Sequence, residues 1–290
     1  MLADLGLLYC AVFWGMSFVT MKILVSVYPT CWLLFLRFLA GGVMLYLFFS
    51  KRIKKNFSDS LKAGIILGVL LFAALGTQTV GLLYIGGGRS AFISATYVLM
   101  VPLMLWAARK IFPGWVSLGG ACLCVAGMYL LTGDEISGTF NFGDFLTVIC
   151  AVIFALQVIL IGKYTKGCDP LTLSFVEFIS LAACALIFSL LFETRPVLID
   201  QPSLPELIFT TVLCTFGCYM IQIVAQAHVK PSRATIIMSL ESVFGLLSSV
   251  IFLDEPVSLR SGLGCALILA AVLIVELEPY FLMHKLSQRS

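Results

Sequence analysis

Residues 63–88 read AGIILGVLLFAALGTQTVGLLYIGGG, with no Asp, Glu, Lys or Arg anywhere in the run. At 1.5 Å per residue a helix over this stretch reaches about 39 Å, more than the roughly 30 Å of hydrocarbon in a bilayer. A soluble protein of 290 residues has too little interior to hide many such stretches. This chain has them throughout: apolar residues make up 61% and charged residues 11%, against about a quarter charged in a soluble domain. The charges fall between the apolar blocks, which is the pattern of a polytopic membrane protein.

Working outward from residues 62–85, the pattern predicts further helices near 4–24, 31–50, 89–109, 113–133, 143–163, 170–192, 205–227, 232–253 and 258–277, ten in all. The last is the weakest, with Arg260 at its start and Glu276 at its end. Connections are short and leave no room for a large soluble domain. The first block is read as a retained helix rather than a signal peptide. It opens on Met1 to Asp4 without a basic region, and it holds Trp14, Gly15 and Ser17.

Lys and Arg alternate between the two sides. Lys51, Arg52, Lys54, Lys55, Lys62, Arg109, Lys110, Lys163, Lys166, Lys230, Arg233, Lys285 and Arg289 share one side. Lys22, Arg89, Arg195 and Arg260 lie on the other, and Arg37 is inside a helix. The basic side is cytoplasmic, which puts both termini there and makes the chain a multi-pass plasma (inner) membrane protein. The net charge of +3 reports topology and is no nucleic-acid footprint. The ten cysteines fall nearly all within predicted helices. Neither Cys122/Cys124 nor Cys214/Cys218 is joined by a second pair or by histidines at metal-site spacing. They are read as packing residues, and His228 and His284 sit at a helix end or in the tail. No metal, cofactor or catalytic residue is assigned.

The halves echo one another at an offset of 140 to 144 residues. Phe35-Leu36-Arg37-Phe38 matches Phe175-Val176-Glu177-Phe178. Pro29 matches Pro170, Lys22 matches Lys163, Gln78 matches Gln222, Arg89 matches Arg233 and Gly120 matches Gly264. Five helices per repeat is an odd number, so the second repeat enters the membrane with opposite polarity. The predicted architecture is therefore all-α, with ten transmembrane helices in two inverted-topology five-helix repeats, 4–133 and 143–278, and a short cytoplasmic tail, 279–290. Such repeats build alternating-access carriers with a solute site near the midplane.

Trp14-Gly15-Met16-Ser17-Phe18 with Lys22, Arg37, Ser94 to Tyr97, Ser239-Leu240-Glu241 and Asp254-Glu255-Pro256 together resemble the EamA family of the drug/metabolite transporter superfamily, over about residues 4–278. The resemblance implies ten helices with cytoplasmic termini and a cavity lined mainly by helices 1, 3, 4, 6, 8 and 9. Helices 5 and 10 would pack away from it, a role that suits Gly262, Ala266 and Ala270. It also implies transport of amino acids, nucleotide-type metabolites, amines or drugs, often outward. The family often has proline directly after the tyrosine and glutamate of helices 4 and 9. Val98 and Ser242 stand there instead, with a proline at Pro102, so a kink at those points is expected to be shifted or missing.

Counting from helix starts, Trp14 and Glu241 fall about ten residues in, near the midplane, with Tyr97 and Gln157 within roughly a turn of that level. An acid at that depth is costly and normally faces a wet cavity or a partner. Glu241 is the candidate for binding a cationic group or carrying a coupling proton. The structural alternative is a carboxyl that caps a bent helix or bonds Tyr97. Trp14 and Tyr97 are candidate walls for an organic solute, or plain packing aromatics. Ser17 and Ser94 lie one turn from them, as cavity polar groups or as helix back-bonding hydroxyls. Gln78 and Gln222 are symmetric polar points along the path, or interhelical hydrogen bonds. Arg37 and Glu177 differ in depth by roughly 10 Å, so each is expected to find its own polar partner and to act as a structural or gating charge. Asp254 and Glu255 read as a turn and cap, and Gly86-Gly87-Gly88 as a turn letting helix 3 move against helix 4.

The expected function is secondary transport of a small organic metabolite across the plasma membrane by alternating access, as an exporter, with a proton or counter-substrate as coupling partner; no ATP-binding motif is present. The protein is expected to be surrounded by lipid, as a monomer or homodimer. The alternatives are a non-transporting sensory or structural membrane protein, and a membrane-embedded lipid enzyme, for which the histidines are too few and badly placed.

Overall fold

A backbone in hydrocarbon must satisfy its own hydrogen bonds, and the apolar blocks do so as helices. The computed structural model describes residues 2–81, 84–85, 87–110, 112–132, 139–193, 201–253 and 258–287, and no strand occurs among them. The elements are α1 (Leu2–Val27), α2 (Thr30–Gly81), α3 (Gly87–Ala95), α4 (Tyr97–Arg109), α5 (Trp115–Thr132), α6 (Phe142–Tyr164), α7 (Pro170–Phe192) and α8 (Leu204–Phe209). A π-helical stretch, Thr210–Tyr219, follows, then α9 (Met220–Gln226), α10 (Pro231–Met238), α11 (Glu241–Leu253) and α12 (Leu259–Ser287). Among the described residues, seven spans are long and apolar enough to cross a bilayer; α1 and α12 carry shorter apolar runs, Leu2–Ser17 and Leu259–Val275.

The loop expected between helices 2 and 3 is not there. Residues 50–62 contain no Gly or Pro, so nothing stops the helix, and α2 runs on with a single non-helical residue, Phe49 (φ −126°, ψ 21°). It is nonetheless two arms. A Cβ at Gly42 would meet Ile179 and Phe178, and a Cβ at Gly68 would meet the Glu177 carbonyl at 2.5 Å and Ser180 at 2.7 Å. On a straight helix those glycines would lie roughly 39 Å apart, yet both rest on one stretch of α7. The chain therefore doubles back about Phe49.

Helices 4 and 9 are each broken in two. The breaks fall immediately before Tyr97 and Glu241, so the kinks are present without the family's proline. The cause is the same in both. Thr96 Oγ1 donates to the Ile93 carbonyl at 2.6 Å, and Ser239 Oγ donates to the Ile236 carbonyl at 2.6 Å. Around them the amides of Thr96, Leu99, Leu240 and Ser242 bond three residues back instead of four. Hydroxyl back-bonding and a tight turn of this kind bend a helix. Gly87 and Gly88 begin α3 rather than forming a turn; Gly86 and Asp254 to Pro256 lie outside the described residues.

Both arms of α2 pack on α7, and the second arm also packs on α6. Helix α1 packs on α11 and on the span 204–226, α6 packs on α3 and α4, and α5 packs on α12. One apolar cluster joins α2 to α7 through Phe38, Leu71, Phe178 and Leu181; a second joins α5, α10 and α12 through Cys124, Ile236 and Ile268. Large apolar side chains also face outward, such as Leu190 (69% exposed) and Ile251 (69%). In water these would be a liability; against lipid they are the expected surface.

Two ion pairs mark opposite ends of the bundle. Arg89 Nε donates to Asp144 Oδ1 at 2.6 Å and its Nη2 donates to Asp144 Oδ2 at 2.8 Å, at the N-terminal end of α6. Arg233 meets Asp4 at 3.3 Å. Pro231, two residues before it, packs on Gly162 near the other end of α6. Eighteen residues of α6 separate Asp144 from Gly162, roughly 27 Å.

Candidate functional site

The π-helical stretch organises the centre of the bundle. Trp14 of α1 donates its indole N–H to the Cys214 carbonyl at 3.2 Å. Arg37 of α2 donates from Nε to the next residue, Thr215, at 3.0 Å on Oγ1. One turn on, the Tyr219 ring lies tilted at 5.0 Å from Trp14 and 5.3 Å from Phe38, within electrostatic reach of Arg37, Glu177 and Glu241. A π-helix has wide turns and recurs at functional positions. Here its carbonyls also accept from α1, Cys10 Sγ donating to the Cys218 carbonyl at 3.2 Å.

Glu241 is the first residue of α11 and is half-buried. Helix α1 brings it close: a Cβ at Gly15 would meet the Glu241 carbonyl at 2.6 Å and the Gly245 amide at 2.8 Å, so only glycine admits this contact. Among the described residues the Glu241 carboxyl makes no hydrogen bond and no ion pair. It does not bond Tyr97, although the two are within electrostatic reach. An acid this deep with no partner among the described residues is costly to keep unless water or a solute reaches it.

Tyr97 and Trp14 belong to one side-chain cluster, with Val158, Ile237 and Met238 at its core, and Phe154 lies 6.2 Å from the Tyr97 ring. Ser17 donates to the Trp14 carbonyl at 2.7 Å, and Ser94 donates to the Ala91 carbonyl at 3.1 Å while accepting from Gln78 at 3.4 Å. The serines thus hold helix backbone, and Gln78 links the second arm of α2 to α3. Gln222 is buried on α9. Gln157 is also buried and donates to Glu177 Oε1 at 2.8 Å, so it serves Glu177 and not Glu241. The other Glu177 oxygen has no partner among the described residues. Arg37 and Glu177 form no ion pair and take separate partners, as their different depths require.

Three features have little or no local signal in the sequence. Tyr219 and Thr215 are ordinary residues of an apolar block. Gln226 is 3% exposed with neither amide atom partnered among the described residues. The two ion pairs could have been found, because Asp4 and Asp144 stand 140 apart and repeat the spacing of the halves.

The chain matches the model of the EamA-like transporter family over residues 1–133 and 141–277. The chain belongs to the EamA-like transporter family. A relative from Archaeoglobus fulgidus, named an uncharacterized transporter, is 34% identical over 286 residues, covering 95% of this chain and 86% of that one. The Bacillus subtilis uncharacterized transporter YoaV is 22% identical, covering 92% and 94%. A protein solved as a crystal structure superposes with a TM-score of 0.80 at 16% identity, over 97% of this chain and 98% of that one, a likeness of fold alone. This EamA-like chain is thus a multi-pass membrane transporter with a small-molecule substrate and a lipid environment.

Proposed function

We propose that this transporter is a secondary carrier of a small organic solute, working by alternating access between two inverted five-helix repeats, 4–133 and 143–278. The observation that carries it is Glu241: a central, half-buried residue whose carboxyl has no partner among the described residues and lies within electrostatic reach of Tyr97 and Tyr219. A rigid structural or sensory membrane protein has no use for such a group.

The helix pairing supports the repeat. Helix α1 packs on α11 as α6 packs on α3 and α4, and α1 packs on 204–226 as α6 packs on the second arm of α2. The pairs α2–α7 and α5–α12 join counterparts. Both breaks recur at equivalent positions, before Tyr97 and Glu241, and so do both ion pairs at opposite ends. The excess of Lys and Arg on one side supports a plasma-membrane orientation with both termini cytoplasmic, and the direction that goes with this reading is outward. A cleft of about 690 Å³ opens between Leu2, Gly6, Arg52, Pro170 and His228, at the end of the looser Asp4–Arg233 pair. That is consistent with a conformer closed at Arg89–Asp144 and opening towards the cytoplasm.

The test is flux of a metabolite panel in reconstituted vesicles, with and without a proton gradient. Solute movement that Glu241→Gln abolishes or uncouples, in a protein still monodisperse, is the expected result. Wild-type flux and pH dependence in that variant would overturn the role of Glu241.

A further inference from the structure

Arg37 is a deep cation whose partners among the described residues are all neutral. The guanidinium is 7% exposed. It donates to the Thr215 hydroxyl at 3.0 Å and to the Met21 thioether at 3.0 Å, and both acceptors are neutral. No carboxylate among the described residues pairs with it, whereas Arg52, Arg89 and Arg233 each have an aspartate. A guanidinium has five N–H donors; Thr215 and Met21 occupy two. A buried, unpaired charge is expensive to keep, and a fold that needed only packing here would carry an apolar residue.

The position is also informative. The Arg37 and Trp14 side chains are tied to adjacent residues of the π-helical stretch, Thr215 and Cys214, so the guanidinium sits beside the aromatic wall and not at a mouth. Tyr219 is within electrostatic reach of both Arg37 and Glu241, and its ring centroid lies 5.0 Å from that of Trp14. This neighbourhood therefore brings together a cation at Arg37, aromatic rings at Trp14 and Tyr219, and an acid at Glu241.

We infer that Arg37 is the anchor for an anionic group of the solute, and that this group is a carboxylate. The inference rests on the carrier reading above and adds the solute's chemical class. Planar oxyanions match the free edge of the guanidinium with parallel N–H···O bonds. Glu177 and Glu241, both within reach of Tyr219, disfavour a doubly charged phosphate ester relative to a singly charged carboxylate. The organic body then rests against Trp14 and Tyr219, and any cationic end points at Glu241.

The test is equilibrium binding to the purified full chain in detergent, using benzoate, phenyl phosphate and benzylamine as probes of matched shape and different charge. The wild type is expected to bind benzoate at least tenfold more tightly than the other two. Arg37→Gln should lose benzoate binding by tenfold or more. Arg37→Lys, which keeps the charge but not the fork, should fall between, and Arg109→Gln on the exposed end of α4 should match the wild type. Preference of the wild type for benzylamine, or binding of none of the probes, overturns the anchor without touching the flux test of transport. Preference for phenyl phosphate overturns the carboxylate assignment. If Arg37→Gln does not fold, the wild-type preference and Arg37→Lys still decide: lysine variant binding equal to wild type sinks the proposal.

Discussion

Removing the charge of Asp144 should cost far more than removing that of Asp4, although the two residues occupy equivalent places in the two halves. Asp144 has 0% of its side chain exposed and Arg89 has 12%, and two bonds of 2.6 and 2.8 Å join them. Breaking a buried pair by neutralising one partner costs roughly 3–5 kcal/mol because the other charge is stranded. Arg89 retains some access to water at the bundle end, so the lower limit, about 3 kcal/mol, applies. Asp144→Asn keeps an acceptor for the Asn141 amide, now 2.7 Å from Asp144 Oδ2, so the capping contact survives and the loss reports the charge. Asp4 and Arg233 are 21% and 28% exposed and 3.3 Å apart. A pair of that kind contributes about 0.2–1 kcal/mol. In thermal unfolding of the detergent-solubilised protein, Asp144→Asn should lower the midpoint by roughly 6 °C or more and Asp4→Asn by no more than about 3 °C. The double variant Arg89→Gln/Asp144→Asn should recover part of the loss. Equal effects at the two ends, or no recovery in the double variant, would show that the Arg89–Asp144 end is not the tighter one.

Three more outcomes can be checked. Glu241→Gln should leave the unfolding free energy within about 1 kcal/mol of wild type, since no described partner is lost, while abolishing or uncoupling flux; a large loss of stability would reveal a structural carboxyl. Gly68→Ala puts a methyl 2.5 Å from the Glu177 carbonyl and should destabilise by about 1–3 kcal/mol, with Gly76→Ala, where nothing lies within 4 Å, as the neutral comparison. Burial acts to raise the pKa of Asp169, but hydrogen bonds from Arg52 and from the amide and hydroxyl of Thr172 outweigh it and hold the carboxyl below its usual value. Its folded-state pKa is depressed, so its contribution is full above about pH 4 and disappears as pH falls through the lower folded value. Asp169→Ala, which also removes the cap of α7, should therefore cost about 1 kcal/mol at neutral pH. The gap to wild type should narrow in midpoints measured below pH 4.

The membrane class, the helical blocks and the family were legible in the sequence because they are one-dimensional. A charge-free run is apolar whatever it packs against, and its length fixes whether it can span hydrocarbon. Motifs such as Trp14 to Phe18 stand in one piece. Counting along the helices set Trp14, Tyr97 and Glu241 at a similar depth, but counting gives no rotation about the helix axis. Two expectations failed locally. The loop at residues 51–61 is helix because no breaker interrupts it. The kinks before Tyr97 and Glu241 persist without proline because Thr96 and Ser239 bend the backbone through their own hydroxyls. Counting depth also misassigned Gln157, which lies at the level of Glu241 but on a face of α6 turned to Glu177.

What only the tertiary structure decided is which polar groups have partners. Sequence places Arg37, Glu177 and Glu241 in apolar helices and makes all three expensive. Whether that cost is met by a neighbour depends on rotation about each helix and on residues from distant segments: Thr215 for Arg37, Gln157 for Glu177, no described residue for Glu241. Asp144 is met twice over by Arg89. Sequence thus determined that this is a membrane transporter with charges inside it. Packing decided which of those charges have a partner among the described residues, because a hydrogen bond is a relation in space between side chains that the chain order does not contain.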